Sequence, residues 1–435
     1  MFEIKPREKV VERALLVGAY IDPAQKADAR SLLEELEELV DTLGVAVMDR
    51  MLVAHRENHA RYLVGSGKAQ EIADLVKKLE CDTIIFDNVL TPAQQRNWEE
   101  LADVTVADRQ EIILDIFGTR AKSREARIQV DLARMEYSLP RLSHAWSHLG
   151  QQGGGIGAKG EGESQLEQDK RKIRGQIDRL KRELETVRRA RITQRKDRKR
   201  TPVPNAAIVG YTNVGKSSLL RRLTGADVLI ENKLFATLDT TTQKIALPNK
   251  QPLLLTDTVG FVRKLPHQLI ESFNATLEEA AFADFLIHVL DASQPNVMEF
   301  YNTTMRVLAE LGADTKQMLV VFNKVDKVDC PATLANLRSH FPEALMISVQ
   351  TGAGMTELID RISEFVSKDT VTVELRLPAG RADLMARLHR EGTQGAIHYE
   401  GEWTYVTATM PSRSLDQFAP FLAAAVDETS QAPAV

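Results

Sequence analysis

The sequence predicts an α/β protein made of successive units: an N-terminal parallel-sheet α/β domain, a long antiparallel helical hairpin, a doubly wound nucleotide domain and a small C-terminal α+β domain. Three observations lead to this. From Ala14 to about Val106 short β-branched runs alternate with helical patterns, as they do in a parallel sheet with crossover helices. Leu166, Ile173, Ile177, Leu180, Leu184 and Val187 keep heptad spacing, as in a helix packed along one partner. Gly210-Tyr211-Thr212-Asn213-Val214-Gly215-Lys216-Ser217 fits the phosphate-loop pattern between an apolar run, Ala206 to Val209, and a helical stretch.

The elements follow in order. Leu15-Leu16-Val17, Val45-Ala46-Val47 and Thr83-Ile84-Ile85-Phe86 are strand candidates, and helices are expected at about 28–43, 68–79 and 91–102 within a domain of residues 1–120. Ile112 to Leu149 reads as one helical run up to Pro140, after which glycine dominates at about 150–164, a density no packed element tolerates. With the heptad helix this gives a hairpin over 121–200 with a glycine-rich tip. Pro202 and Pro204 open the nucleotide domain, expected over 203–368. In 370–435, Val371 to Leu377 alternates as a strand, Ala382 to Arg390 is helical, a hairpin turns at Glu400-Gly401 and a last helix closes the chain.

Composition narrows the function classes. The 435 residues suffice for about two to four domains. Cys81 and Cys330 are the only cysteines, so no disulfide framework is expected, and the reading is a cytoplasmic protein. No apolar run reaches the roughly 20 residues a bilayer crossing needs, so no integral membrane segment is expected. Net charge is −5, which argues against a uniformly basic nucleic-acid binder. Yet residues 170–200 concentrate Lys and Arg, including Arg171, Arg174, Arg179, Arg188, Arg195 and Lys199, against few acids. A basic helix of this kind suits RNA.

In the phosphate loop, Gly210 and Gly215 free backbone N–H groups to surround a phosphate; Lys216 is placed for the β- and γ-phosphates, and Ser217 for Mg2+. Asp257-Thr258-Val259-Gly260 follows the strand Leu253-Leu254-Leu255, which puts the carboxylate where it can hold Mg2+ through water and the Gly260 N–H where it can sense a γ-phosphate. Asn323-Lys324-Val325-Asp326 follows Met318 to Phe322, and a carboxylate there accepts from N1–H and the N2 amine of guanine, which adenine lacks. Ser348, with Val349 and Gln350, follows Leu345-Met346-Ile347 and is expected to support guanine O6 through the Ser348 backbone. In this order the motifs specify GTP.

On these motifs the chain resembles the translation-factor-related GTPases and, within them, the HflX family of ribosome-associated GTPases. The resemblance rests on Leu234-Phe235-Ala236-Thr237-Leu238-Asp239, on Asp257 to Phe261 with its sequel Val262-Arg263-Lys264-Leu265-Pro266, and on Gly160-Glu161-Gly162-Glu163-Ser164-Gln165-Leu166-Glu167. It implies that Phe235 to Asp239 is the first switch and Thr237 its Mg2+-sensing threonine; on chemistry alone Thr240, Thr241 and Thr242 compete. It further implies a partner in the large ribosomal subunit and its RNA and a role in separating stalled or idle ribosomes; besides this, no DNA partner and a monomer are expected. A large-subunit assembly GTPase is the alternative, as is a non-catalytic GTP sensor that regulates a partner such as a membrane protease, with peripheral membrane association. Phe261 stands where many GTPases carry a water-orienting glutamine, so slow intrinsic hydrolysis is expected.

Two further patterns are set aside. Gly155-Ile156-Gly157-Ala158-Lys159-Gly160 matches the dinucleotide fingerprint but lacks the strand and helix that site needs. His144 and His148 have metal-ligand spacing without a third ligand nearby.

Overall fold

A computed structural model of the chain describes residues 11–142, 161–199, 203–225, 234–235, 238, 240–249, 251–264, 279–368, 370–391, 393–411 and 414–423. The expected glycine-rich tip up to Gly160, His144, His148, Ala236, Thr237 and Asp239 lie outside these residues.

The N-terminal sheet has strands β1 (Arg13–Tyr20), β2 (Ala46–Ala54), β3 (Thr83–Phe86) and β4 (Thr105–Asp108) in the order β2-β1-β3-β4. All pairings are parallel. β1 and β3 are buried along almost their whole length, as strands covered on both faces must be. The helices α1 (Lys26–Leu43), α2 (Ser66–Lys78), α3 (Pro92–Ala102) and α4 (Arg109–Arg120) follow the strands. Each boundary has a local cause. α1 stops at Gly44, φ +80, where only glycine is unstrained; α3 opens on a Thr91/Gln94 capping box with Pro92 at its first position.

Two expectations are corrected here. The run from Ile112 to Pro140 is two helices, α4 and α5 (Arg124–Ser138), because Ser123 caps α5 by accepting from the Ala126 N–H. The glycine-rich segment expected over about 150–164 ends sooner, since α6 (Glu161–Lys199) already contains Gly162. α5 and α6 pack along the expected seam, with Ile128, Leu132, Ile177 and Leu184 buried and Ile173 and Leu180 against them.

The nucleotide domain has a six-stranded sheet in the order β10-β9-β8-β5-β7-β6. Its strands are β5 (Asn205–Gly210), β6 (Thr241–Ala246), β7 (Pro252–Asp257), β8 (Phe285–Asp291), β9 (Met318–Asn323) and β10 (Leu345–Met346). Among the described residues of this sheet, only the edge pair β6 and β7 is antiparallel. α7 (Lys216–Thr224) leaves β5 through the phosphate loop, and α8 (Val297–Glu310) packs beside β8. The C-terminal unit pairs β11 (Thr370–Pro378), β13 (Trp403–Pro411) and β12 (Thr393–Glu400) in that order, antiparallel. Of the expected last helix, the described residues show one turn, Leu415–Phe418.

One seam joins the N-terminal domain to the nucleotide domain. Along α1, Asp28, Ser31, Glu35 and Thr42 lie three, four and seven residues apart, a spacing that shares a helix face. Arg263 meets this face: its Nε donates to Glu35 Oε2 at 2.9 Å, NH1 to Asp28 at 3.2 Å and to Glu299 of α8 at 3.0 Å, and NH2 to Ser31 Oγ at 2.9 Å. Glu35 also takes a hydrogen bond from Arg109 NH2, and Arg109 NH1 donates to Asp87 at 2.8 Å. Asp87 in turn accepts from Lys264 Nζ at 2.8 Å. Arg109, Glu35, Asp87 and Arg263 are all buried.

Removing one member of such a network strands the rest in low dielectric, which costs about 3–5 kcal/mol. Arg109→Ala should therefore lower the unfolding free energy by about that amount in urea titrations followed by tryptophan fluorescence. A loss well under about 1 kcal/mol would mean that Glu35 and Asp87 reach water instead.

Candidate functional site

The site forms where β5, β7, β8 and β9 end at the carboxyl edge of the six-stranded sheet, the usual ligand position in an open α/β sheet. At Gly210 φ is +148, and a Cβ there would lie 2.2 Å from the Val289 carbonyl oxygen. Gly215, φ +96, would place a Cβ 2.4 Å from Asn323 Nδ2. Both closures exclude a side chain, so the loop can wind tightly into the N-terminus of α7, where backbone N–H groups and the helix dipole favour an anion. Val214 is buried beneath it.

Lys216 is buried, and its Nζ donates to the carbonyls of Gly210 at 3.1 Å and Tyr211 at 2.7 Å. Burial pushes its ammonium down to about 8, with Asp257 opposing. Ser217 Oγ donates to Asp257 Oδ2 at 2.6 Å, so the two expected Mg2+ residues meet. Thr258 anchors the strand end through Oγ1 to the Ile208 carbonyl at 2.7 Å, and Val259 is buried. Gly260 lies against the loop: a Cβ on it would come 2.7 Å from Thr212 Cγ2, 2.9 Å from Thr212 Cα and 3.0 Å from Lys216 Nζ.

Phe261 is 1% exposed. Its backbone closes a bridge with the phosphate loop: Thr212 N–H donates to Phe261 O at 2.8 Å and Phe261 N–H to Gly210 O at 3.1 Å. Two residues on, the Arg263 amide donates to the Tyr211 hydroxyl at 2.7 Å, and the Tyr211 ring stacks on Phe300 with centroids 4.2 Å apart. Nucleotide loop, Gly260 segment and the α1 seam are thus hydrogen-bonded in series.

The segments expected to read the base converge as well. Asn323 Nδ2 donates to the Val214 carbonyl at 2.8 Å and its Oδ1 accepts from the Val349 N–H at 3.0 Å. Lys324, φ +62, reaches Asn213 O at 2.6 Å and Asp291 at 2.8 Å. Val325 begins a single turn in which Asp326 is exposed. Ser348 differs from expectation: its amide donates to Ala353 O at 3.0 Å and its Oγ accepts from the Thr351 N–H at 3.1 Å. It closes the turn that carries Val349 and the exposed Gln350 and offers no free amide for a base.

Of the first-switch candidates, Phe235 is 2% exposed with φ +53 and meets Phe117 of α4 edge-on at 4.5 Å. The Leu234 N–H donates to Thr42 Oγ1 at 3.3 Å, and Leu238 is buried. Thr241 and Thr242 belong to β6, where the Thr242 hydroxyl pairs with that of Thr256 at 3.0 Å. The sequence reading missed the α1 contributions. Their one signal is Glu35, a carboxylate buried beside Leu32, Leu36 and Leu39.

A cleft of about 130 Å3 runs between α1 and the loop, lined among others by Glu34, Glu38, Thr212, Asn213 and Asp291. Burial, with Glu35 next, holds the Glu38 carboxyl above its ordinary range.

Three family models match the chain: a GTP-binding GTPase N-terminal model over residues 30–118, a GTP-binding GTPase middle region over 120–198 and a 50S ribosome-binding GTPase over 205–324. Among curated relatives, the GTPase HflX of Akkermansia muciniphila is 48% identical over 97% of this chain and all of the relative. The GTPase HflX of Escherichia coli is 40% identical over 87% of this chain and 88% of its own length. A crystal structure of a GTP-binding protein from Sulfolobus solfataricus in complex with GDP aligns at 24% identity over 82% of this chain and 99% of that one, with a TM-score of 0.43.

Lys216 loses its charge as pH rises through about 8, whereas phosphate oxygens favour the ammonium form. Binding of GDP at pH 8 should therefore take up about half a proton, and affinity should fall above that pH. Calorimetry in buffers of different ionisation enthalpy reads the uptake; a Lys216→Ala protein with the same uptake would contradict this assignment.

Proposed function

The chain belongs to the HflX family of GTPases, and from that premise we propose that GTP bound with Mg2+ orders its switch segments for the large ribosomal subunit, and that hydrolysis accompanies the separation of stalled or idle ribosomes. The observation that carries the nucleotide reading is the convergence of Lys216, Ser217, Asp257, Gly260 and Asn323 on one loop. Support for the ribosome comes from the matched 50S ribosome-binding GTPase model and from the basic helix, on which Arg171, Lys172, Arg174, Arg179 and Arg182 are exposed.

In this reading the backbone from Gly210 to Gly215 cradles the β-phosphate and Lys216 exchanges its two carbonyl partners for β- and γ-oxygens. Thr237 serves as the first switch's sensor, with Phe235, Ala236, Leu238 and Asp239 carrying it over the nucleotide. The Ser217 hydroxyl and the Asp257 carboxylate, already 2.6 Å apart, are hard oxygen donors that fit Mg2+, Asp257 acting through water. Held by these oxygens, Mg2+ would supply positive charge that offsets the negative charge developing on the phosphates. Asp326 selects guanine through N1–H and N2, with Lys324, Val325, Ser348, Val349 and Gln350 shaping the base pocket. The Gly260 amide meets the γ-phosphate. Because Gly260 leads directly into Phe261 and Arg263, filling the γ-position strains the bridge to Tyr211 and Thr212 and the contacts of Arg263 with α1. That is how nucleotide state would reach the N-terminal domain and the helices behind it.

GTP turnover with and without purified large subunits tests the reading. Strong stimulation is expected, with Lys216→Ala as the inactive blank; no stimulation with intact GTP binding would sink the ribosomal role. Replacing Asp326 by Asn exchanges one acceptor for a donor that opposes the guanine edge. GTP affinity should fall by on the order of 100-fold, and equilibrium binding with an unchanged affinity would remove Asp326 from the base site.

A further inference from the structure

Phe261 leaves a chemical gap. Its side chain is buried in the core and has no group to accept from or donate to a water or a phosphoryl oxygen. Across from it, Thr212 is 5% exposed, and among the described residues its Oγ1 has no hydrogen-bond partner. The neighbouring threonines differ: Thr258 bonds the Ile208 carbonyl, and Thr242 bonds Thr256. A buried hydroxyl without a partner is disfavoured, so this one is kept at a cost that a ligand would remove.

The position of that hydroxyl's residue is informative. A methyl on Gly260 would touch Thr212 Cγ2 and Cα and Lys216 Nζ together. The Thr212 Cγ2 and Cα atoms, the Gly260 backbone and the Lys216 ammonium therefore surround one point, and the Thr212 hydroxyl is carried by the same Cβ as that Cγ2. The Thr212 amide is already engaged with Phe261 O, so the side chain is the part of this residue left to meet a ligand there.

We propose that the Thr212 hydroxyl is a catalytic group for GTP hydrolysis, donating its hydrogen bond to an oxygen of the γ-phosphoryl group as it is transferred. This rests on the GTP-site reading above. In the reaction the oxygen of water bonds to the γ-phosphorus and the bond to the β–γ bridging oxygen breaks, its electron pair leaving with GDP. The water's proton ends on the inorganic phosphate, and Thr212 keeps its own. Charge on the γ-oxygens and the bridging oxygen shifts along this path, and a fixed donor beside Lys216 and the Gly260 amide stabilises it without reorganisation. The stabilisation lost with the missing glutamine is thus supplied in part from the phosphate loop.

The test uses the full chain carrying Thr212→Val, which removes the hydroxyl at nearly constant shape, beside Thr212→Ser, which retains it. Single-turnover GTP hydrolysis and equilibrium GDP affinity are measured for each, with and without large ribosomal subunits. The valine variant should lose about 10- to 100-fold in the hydrolysis rate, keep its GDP affinity within about threefold, and be largely rescued in the serine variant. Hydrolysis by Thr212→Val at the unsubstituted rate would overturn the proposal. So would an equal loss in both variants accompanied by weakened GDP binding, which would mark Thr212 as a packing residue of the loop. Failure of ribosomal stimulation would leave the intrinsic rates readable, so it would bear on the partner and not on Thr212.

Discussion

Glu35 is a buried carboxylate shared by two arginines, Arg109 of its own domain and Arg263 of the nucleotide domain. Asp87 repeats the arrangement between Arg109 and Lys264. Ions taken out of water lose several kcal/mol each, so such a chain persists only with near-complete pairing. Here the guanidinium forks provide most of it: Arg263 uses Nε, NH1 and NH2 on partners from α1 and α8, and Arg109, whose buried Nε alone has no partner among the described residues, also holds the Leu32 carbonyl. Glu35 and the Tyr211 hydroxyl are linked too, and burial raises Tyr211 far above its ordinary range, so it stays protonated. Partial separation would strand charges in low dielectric, so the pairs are costly to loosen one at a time.

Among the described residues, the segment proposed to meet the γ-phosphate lies close to that seam. Gly260 touches the phosphate loop, Phe261 is bridged to it by two backbone hydrogen bonds, and Arg263 follows two residues later. On the other side Leu234 and Phe235 contact Thr42 and Phe117. The N-terminal domain therefore grips both the start of the expected first switch at Phe235 and the segment that follows Gly260. A sub-ångström change at Gly260 meets packed groups on every side, and packed, ion-paired contacts release in steps.

Much of this was legible in the sequence, for identifiable reasons. The phosphate loop, Asp257 to Gly260 and Asn323 to Asp326 follow apolar strands at fixed offsets, because one sheet edge must present them together. The alternation before Val106 and the heptads after Leu166 encode burial directly. Other features depend on distant partners. Glu35 reads as one acid among many in a helix, and its partners stand 74 and 228 positions away. The break between α4 and α5 was readable from Ser123 as a cap, but the helical pattern on both sides masked it. The amide of Ser348 turns inward to Ala353 because Gly352 and Gly354, both at positive φ, curl the chain back on itself.

The most direct test of this account is a double-mutant cycle on Glu35→Gln and Arg263→Met, with the coupling energy measured by denaturant unfolding in GDP and in a non-hydrolysable GTP analogue. The account predicts a coupling of at least about 1.5 kcal/mol with GDP and a clearly smaller one with the analogue, because the γ-phosphate draws on the segment that carries Arg263. Equal coupling in both nucleotides would contradict it and leave the seam a static brace.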